Sequence, residues 1–235
     1  MKRLTATICL TLAVLLGSVG VSASADFQRG LTAYQSGDYA TALREWKPLA
    51  EQGDAESQYN LGVMHRKALG VPKNNKTAVK WYRLAAKQGH AKSQLNLGFM
   101  YDKGKGVPKD YNTAMKWWKL AADQGNASAR TNLGLKYVKG QGGTQDYKTA
   151  VKWFKLAAEQ GHANAQSNLG VMYVKGQGIT QDNVYAHMWL NIAASSGNET
   201  ASKNRDIVAK QMTPADLSTA QKLARECVRK KYKGC

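Results

Sequence analysis

An asparagine, an apolar residue and a lysine recur together four times in this 235-residue chain: Asn60, Val63 and Lys67; Asn96, Phe99 and Lys103; Asn132, Leu135 and Lys139; Asn168, Val171 and Lys175. In each trio the asparagine and the lysine are seven positions apart. That is almost two turns of an α-helix, so both leave one face with the apolar residue between them. A side-chain amide donates to and accepts from an extended peptide backbone, and an ammonium pairs with a carboxylate. Such a face suits recognition of a polypeptide with acidic character and one or two apolar anchors. Phe99, as an aromatic, offers the largest anchor, and Leu135 is the aliphatic candidate beside it. The same groups also have structural uses. Amides can satisfy backbone groups between repeats, and a row of lysines can be a solvated face.

Bond-making chemistry finds no comparable pattern. His65 stands where sister segments have Tyr101, Tyr137 and Tyr173, so it reads as a packed helix residue. His90 and His162 fall in turns 72 residues apart, equivalent positions rather than convergent ones, and His187 falls on a helix. No His–Glu spacing fits zinc, no glycine-rich loop follows a strand to hold phosphate, and no serine–lysine pair has catalytic spacing. The expectation is therefore no enzyme, no catalytic residues, no metal and no cofactor.

Composition points to a soluble folded protein: 43% of residues are hydrophobic and 21% charged, which argues against disorder and a multi-span membrane protein. Thirty-four Lys and Arg against 16 Asp and Glu give a net charge of +18. A surface this basic favours acidic proteins, anionic lipid, polysaccharide or nucleic acid. No aromatic platform interleaves the charges, so nucleic acid is not expected as a partner. A second basic set, Arg44, Lys80, Lys116 and Lys152, is followed three residues later by Lys47, Arg83, Lys119 and Lys155. Positions three apart share a helix face. This ridge is either a solubilising outer surface or a hold on peptidoglycan or anionic lipid.

The amino terminus reads as an export signal. Lys2 and Arg3 precede an apolar run from Ile8 to Gly20, and Ala23-Ser24-Ala25 supplies a small-x-small cleavage pattern. Residues 1–25 are therefore expected to be a signal peptide cut after Ala25, giving a periplasmic product. Cys9 lies inside that segment, and Cys227 and Cys235 remain as an even pair in an oxidising compartment, which favours a disulfide.

A fixed repeat organises the rest. Asn60-Leu61-Gly62 returns as Asn96-Leu97-Gly98, Asn132-Leu133-Gly134 and Asn168-Leu169-Gly170, always 36 residues on. Ala42, Ala78, Ala114, Ala150 and Ala186 keep the step, as does the bulky series Trp46, Tyr82, Trp118, Phe154 and Leu190. Segments 55–90, 91–126, 127–162 and 163–198 align without a gap. Each reads as two antiparallel helices, as in Ala91–Lys103 and Tyr111–Gln124, separated by turn glycines and Pro108. Asp38, Asn74, Asp110, Asp146 and Asp182 are placed as caps of the second helix. The six tryptophans, in phase with that helix, are expected in the core. A pair cannot bury its apolar face alone, so the units should stack as an all-α, right-handed α-solenoid of 36-residue repeats. Residues 26–54 read as an amino-terminal capping helix pair, and 199–235 as carboxy-terminal capping helices with a disulfide tail.

The run Ala163-Asn164-Ala165-Gln166-Ser167-Asn168-Leu169-Gly170-Val171-Met172-Tyr173, with Gly176, Gly178 and Ala193-Ala194-Ser195-Ser196-Gly197, resembles the Sel-one-like repeat, a relative of the tetratricopeptide repeat. The resemblance implies a superhelix whose first helices line a concave groove, acting as a non-enzymatic adaptor or scaffold for a protein partner. It also implies two narrower roles. Some relatives sit beside phospholipase effectors of type VI secretion, which would make this an immunity protein against a toxic periplasmic effector. Others carry a β-lactam hydrolase label, which no residue pattern here supports. A third role, attachment to peptidoglycan or anionic envelope lipid, would use the basic ridge.

Overall fold

Helix starts and stops that return every 36 residues produce helices that do the same. The computed structural model describes residues 27–235, and the export signal expected at 1–25 lies outside them. Every regular element among the described residues is a helix. The first, α1, covers 27–35. Then come α2 (Tyr39–Glu51), α3 (Ala55–Lys67), α4 (Asn75–Lys87), α5 (Ala91–Lys103), α6 (Tyr111–Asp123) and α7 (Ala127–Lys139). They are followed by α8 (Tyr147–Ala158), α9 (Ala163–Lys175), α10 (Asn183–Ser195), α11 (Glu199–Ala209) and α12 (Pro214–Arg229). None of these helices is long and apolar enough to cross a membrane.

The starts are set by side-chain caps. Asp38, Asn74, Asp110 and Asp146 each accept the amide three residues on at 3.0 Å, and Asp182 does so from Tyr185. These bonds satisfy amides that the first turn leaves without a helical partner. The stops are left-handed residues: Gly140 and Gly176 have φ of 61°. Ala68 holds the same place after α3 with φ 61°, where an L side chain is strained.

The described residues form two compact units, one running up to Ser93 with Gly104–Pro108, the other holding Gln94–Lys103 and Lys109–Cys235. In the first unit α3 and α4 are antiparallel. The Asn74 amide donates to the His65 carbonyl at 2.9 Å, and the helix middles meet where Gly62 faces the Tyr82 ring. In the second unit Asp110, Asp146 and Asp182 donate in the same way to Tyr101, Tyr137 and Tyr173. The fold is thus all-α, with antiparallel helix pairs on a 36-residue step, an α-solenoid architecture.

Close approach within each pair depends on missing side chains. A Cβ on Gly134 would lie 2.5 Å from the Phe154 ring, and one on Gly98 2.5 Å from Trp118 Nε1. The bulky series fills the space this leaves: Trp46, Tyr82, Trp118, Phe154 and Leu190 are all buried. The expectation for the tryptophans needs correction. Trp46, Trp118 and Trp189 are buried, but Trp81, Trp117 and Trp153 are half-buried. Each of these three precedes the bulky position by one residue, a rotation of about 100° that carries it from the core to its edge.

The last two helices close the second unit. Thr213 caps α12, whose Ala224 and Cys227 join the core cluster containing Met188, Leu190 and Ile192 of α10. Cys227 and Cys235 are disulfide-bonded, with Cα atoms 5.6 Å apart. Tyr232, in the loop so closed, packs beside Gly161.

Candidate functional site

Three successive first helices of the second unit, α7, α9 and α11, line a cavity of about 370 Å³. It is lined by Ser128, Thr131, Asn132 and Leu135 of α7, Asn164, Ser167 and Asn168 of α9, Thr200 of α11, and the helix-starting residues His162 and Asn198. The 36-residue step explains the set. Ser128, Asn164 and Thr200 hold one register position, Thr131 and Ser167 a second, Asn132 and Asn168 a third, and His162 and Asn198 a fourth. Each helix presents residues one turn apart along one face, so stacking three helices turns single polar residues into rows.

Of the sequence-predicted residues, the trough gathers Asn132, Leu135 and Asn168. Both asparagines and Leu135 are half-buried. Lys139 and Lys175 are exposed and outside the lining; Lys139 stands one turn beyond Leu135. Asn96 is half-buried, and Lys103 is exposed with its ammonium 2.9 Å from the Asp102 carboxylate. Phe99 is half-buried against the cluster of Ala114, Trp118 and Leu133, which makes it partly a core residue. In the first unit Asn60 is half-buried and Lys67 exposed, but Val63, expected between them as an apolar contact, is buried at 7% exposure.

Sequence reasoning missed the hydroxyls, Asn164, Asn198 and His162. The signal was present: these residues keep the same 36-residue step, with Thr131 and Ser167 directly before the asparagines, Ser128 and Asn164 one turn earlier, and His162 and Asn198 at the helix starts. His162 is the best defined of them. Thr131 Oγ1 donates to the Ala127 carbonyl at 2.8 Å, so at 3.0 Å it must accept from His162 Nδ1–H. Nε2 is then the acceptor, 3.3 Å from the Ser128 hydroxyl. Burial pushes the His162 pKa below the ordinary imidazole value. Asn198, at the same register position, caps α11 through Ala201 and donates to Asn164 at 2.9 Å.

With His162 neutral, no charged side chain lines the trough. Its chemistry is hydrogen bonding by amides and hydroxyls around one leucine, a lining suited to polypeptide. Ser128 and His162 have the order of a nucleophile and a base. A hydroxyl, not a carboxylate, stands behind the imidazole, however, and its lowered pKa weakens it as a base. In the first unit the corresponding histidine is used differently: His90 Nδ1 is 2.8 Å from Ser93 Oγ and Nε2 2.9 Å from Glu56. Among the described residues no group of three or more His, Cys, Asp or Glu could hold a metal ion.

Comparison with known proteins follows the same lines. The family model described as Sel1 repeat matches residues 55–90, 91–126, 127–162 and 163–198. A Sel1 repeat protein from Oxalobacter formigenes is 31% identical, with a TM-score of 0.73 over 86% of this chain and 84% of that one. A protective antigen of uropathogenic Escherichia coli displaying an SLR fold is 32% identical, with a TM-score of 0.83 over 89% of this chain. The match spans 47% of the antigen's chain, about half its length. No curated protein matches.

Proposed function

Because this chain belongs to the Sel1 repeat family, we propose that it is a non-enzymatic periplasmic adaptor that holds a partner protein in the trough of α7, α9 and α11. The observation that carries the reading is the convergence of Asn132, Leu135 and Asn168 with rows of hydroxyls and amides in one cavity. The two asparagines face an extended segment of the partner, Leu135 takes an apolar side chain, and acidic residues of the partner reach Lys139 and Lys175 beyond the trough. The periplasmic assignment rests on the charged start, apolar run and Ala23-Ser24-Ala25 pattern of the first 25 residues.

The test compares partner capture from periplasmic extract by the wild type and by the double variant Asn132→Ala/Asn168→Ala. Each lost hydrogen bond costs about 1 kcal/mol, so the pair should weaken binding roughly 30-fold. Equal recovery of the same partner by a folded variant overturns the assignment. Turnover of an ester or β-lactam reporter that disappears with Ser128→Ala overturns the non-enzymatic reading.

A further inference from the structure

Two leucines of the second unit stand in solvent at one register position: Leu120 on α6, 48% exposed, and Leu156 on α8, 42% exposed. Each directly follows a lysine (Lys119, Lys155) and stands one turn after another (Lys116, Lys152), all four exposed. The third member of the register, Ile192 on α10, is 2% exposed. There α12 lies over the helix, with Ala224 and Val228 beside Ile192. Under that cover the two lysine positions have become Met188 and Asn191.

This contrast within one molecule identifies what fits the uncovered helices. Packing a protein helix on this face accompanies loss of both ammonium groups, as expected from the cost of desolvating them. Where both lysines remain beside an exposed leucine, an anionic and hydrated surface with an apolar interior just beneath is complementary to the face. We infer that the solvent face of α6 and α8 docks on an anionic lipid bilayer, Lys116, Lys119, Lys152 and Lys155 meeting headgroups and Leu120 and Leu156 entering the acyl boundary. A cavity of about 330 Å³ beside Lys116 and Lys119, lined by Met115, Tyr137 and Trp153, gives an acyl segment room. Lys119 Nζ lies 6.0 Å from the Trp153 ring, and tryptophan favours the depth of lipid headgroups. One carboxylate ends each strip, Asp123 and Glu159, so the four lysines keep the face basic.

The experiment uses residues 26–235, which contain every described helix and omit the apolar run at 8–20. Sedimentation is measured with vesicles of equal phosphatidylglycerol and phosphatidylcholine, and with phosphatidylcholine alone. The wild type should bind the anionic vesicles preferentially and release progressively as salt rises to about 0.5 M. Lys119→Gln/Lys155→Gln should weaken partition roughly 25-fold, about fivefold for each lysine. Leu120→Gln/Leu156→Gln should weaken it about tenfold while preserving the salt dependence. Circular dichroism melts should be unchanged, because all four residues are exposed. Equal binding to both vesicle types, variants that bind like wild type, or sedimentation with lipid-free sacculi but not with vesicles would each overturn the inference.

Discussion

The Lys136 ammonium on α7 is paired with the Asp102 carboxylate on α5, with side chains 9% and 5% exposed. The other three repeats place Met64, Met100 and Met172 at the position of Lys136, all buried. The ammonium also meets Gln141 Oε1 at 2.8 Å and lies 4.5 Å from the Tyr111 ring. Burial alone would push the Asp102 carboxyl up, but hydrogen bonds from Lys136 and Lys103 outweigh it and hold the pKa below the ordinary carboxylate value.

Breaking this pair and replacing it should have opposite effects. Asp102→Asn strands the Lys136 charge and should cost about 3–5 kcal/mol in urea unfolding. The double variant Asp102→Val/Lys136→Met installs the residues of neighbouring registers, as at Val138 and Met172. It should be neutral or more stable by about 1–4 kcal/mol. A double variant as unstable as Asp102→Asn would show that the pair's attraction exceeds its desolvation cost.

Acid should reveal the same carboxylate. A depressed folded pKa contributes stability above the unfolded value of 3.8 that is lost as pH falls through the folded pKa. Asp38, Asp110 and Asp146 act in the same direction, their carboxylates held low by hydrogen bonds from the threonine three residues on. Below about pH 4 the wild type should therefore lose stability more steeply than Asp102→Val/Lys136→Met, as followed by thermal melts against pH.

His162 predicts a second pH window. Its lowered pKa means that the unfolded chain takes up the proton first, so stability falls as pH drops below the ordinary value of 6.5. His65 and His187 add to this through burial. His162→Asn, the residue found at the registers of Asn126 and Asn198, should shrink the loss between about pH 7 and 5 without abolishing it. An unchanged slope would place the titration elsewhere.

Ala68→Gly should stabilise the protein by about 1 kcal/mol, because it relieves a left-handed alanine at a position where Gly104, Gly140 and Gly176 stand in later repeats. Thermal unfolding at neutral pH measures the gain.

Gly134→Ala should cost about 1–3 kcal/mol, since its Cβ would meet the Phe154 ring at 2.5 Å. A loss near that of an exposed helix alanine would mean that the α7–α8 spacing is adjustable.

The sequence by itself determined the repeat, the limits of α5 at Ala91–Lys103, the aspartate caps and the cysteine pair. These depend on local spacing and backbone preference, which a chain carries in its order of residues. Tertiary structure alone decided which equivalent residues meet. Spacing put Val63, Phe99 and Leu135 on one helix face, yet Val63 is buried, Phe99 leans on the core and only Leu135 lines the trough. It gave no reason to join Asp102 to Lys136, or to distinguish exposed Leu156 from covered Ile192. A helix period fixes direction about one axis, whereas burial and pairing depend on the neighbour that arrives on that side.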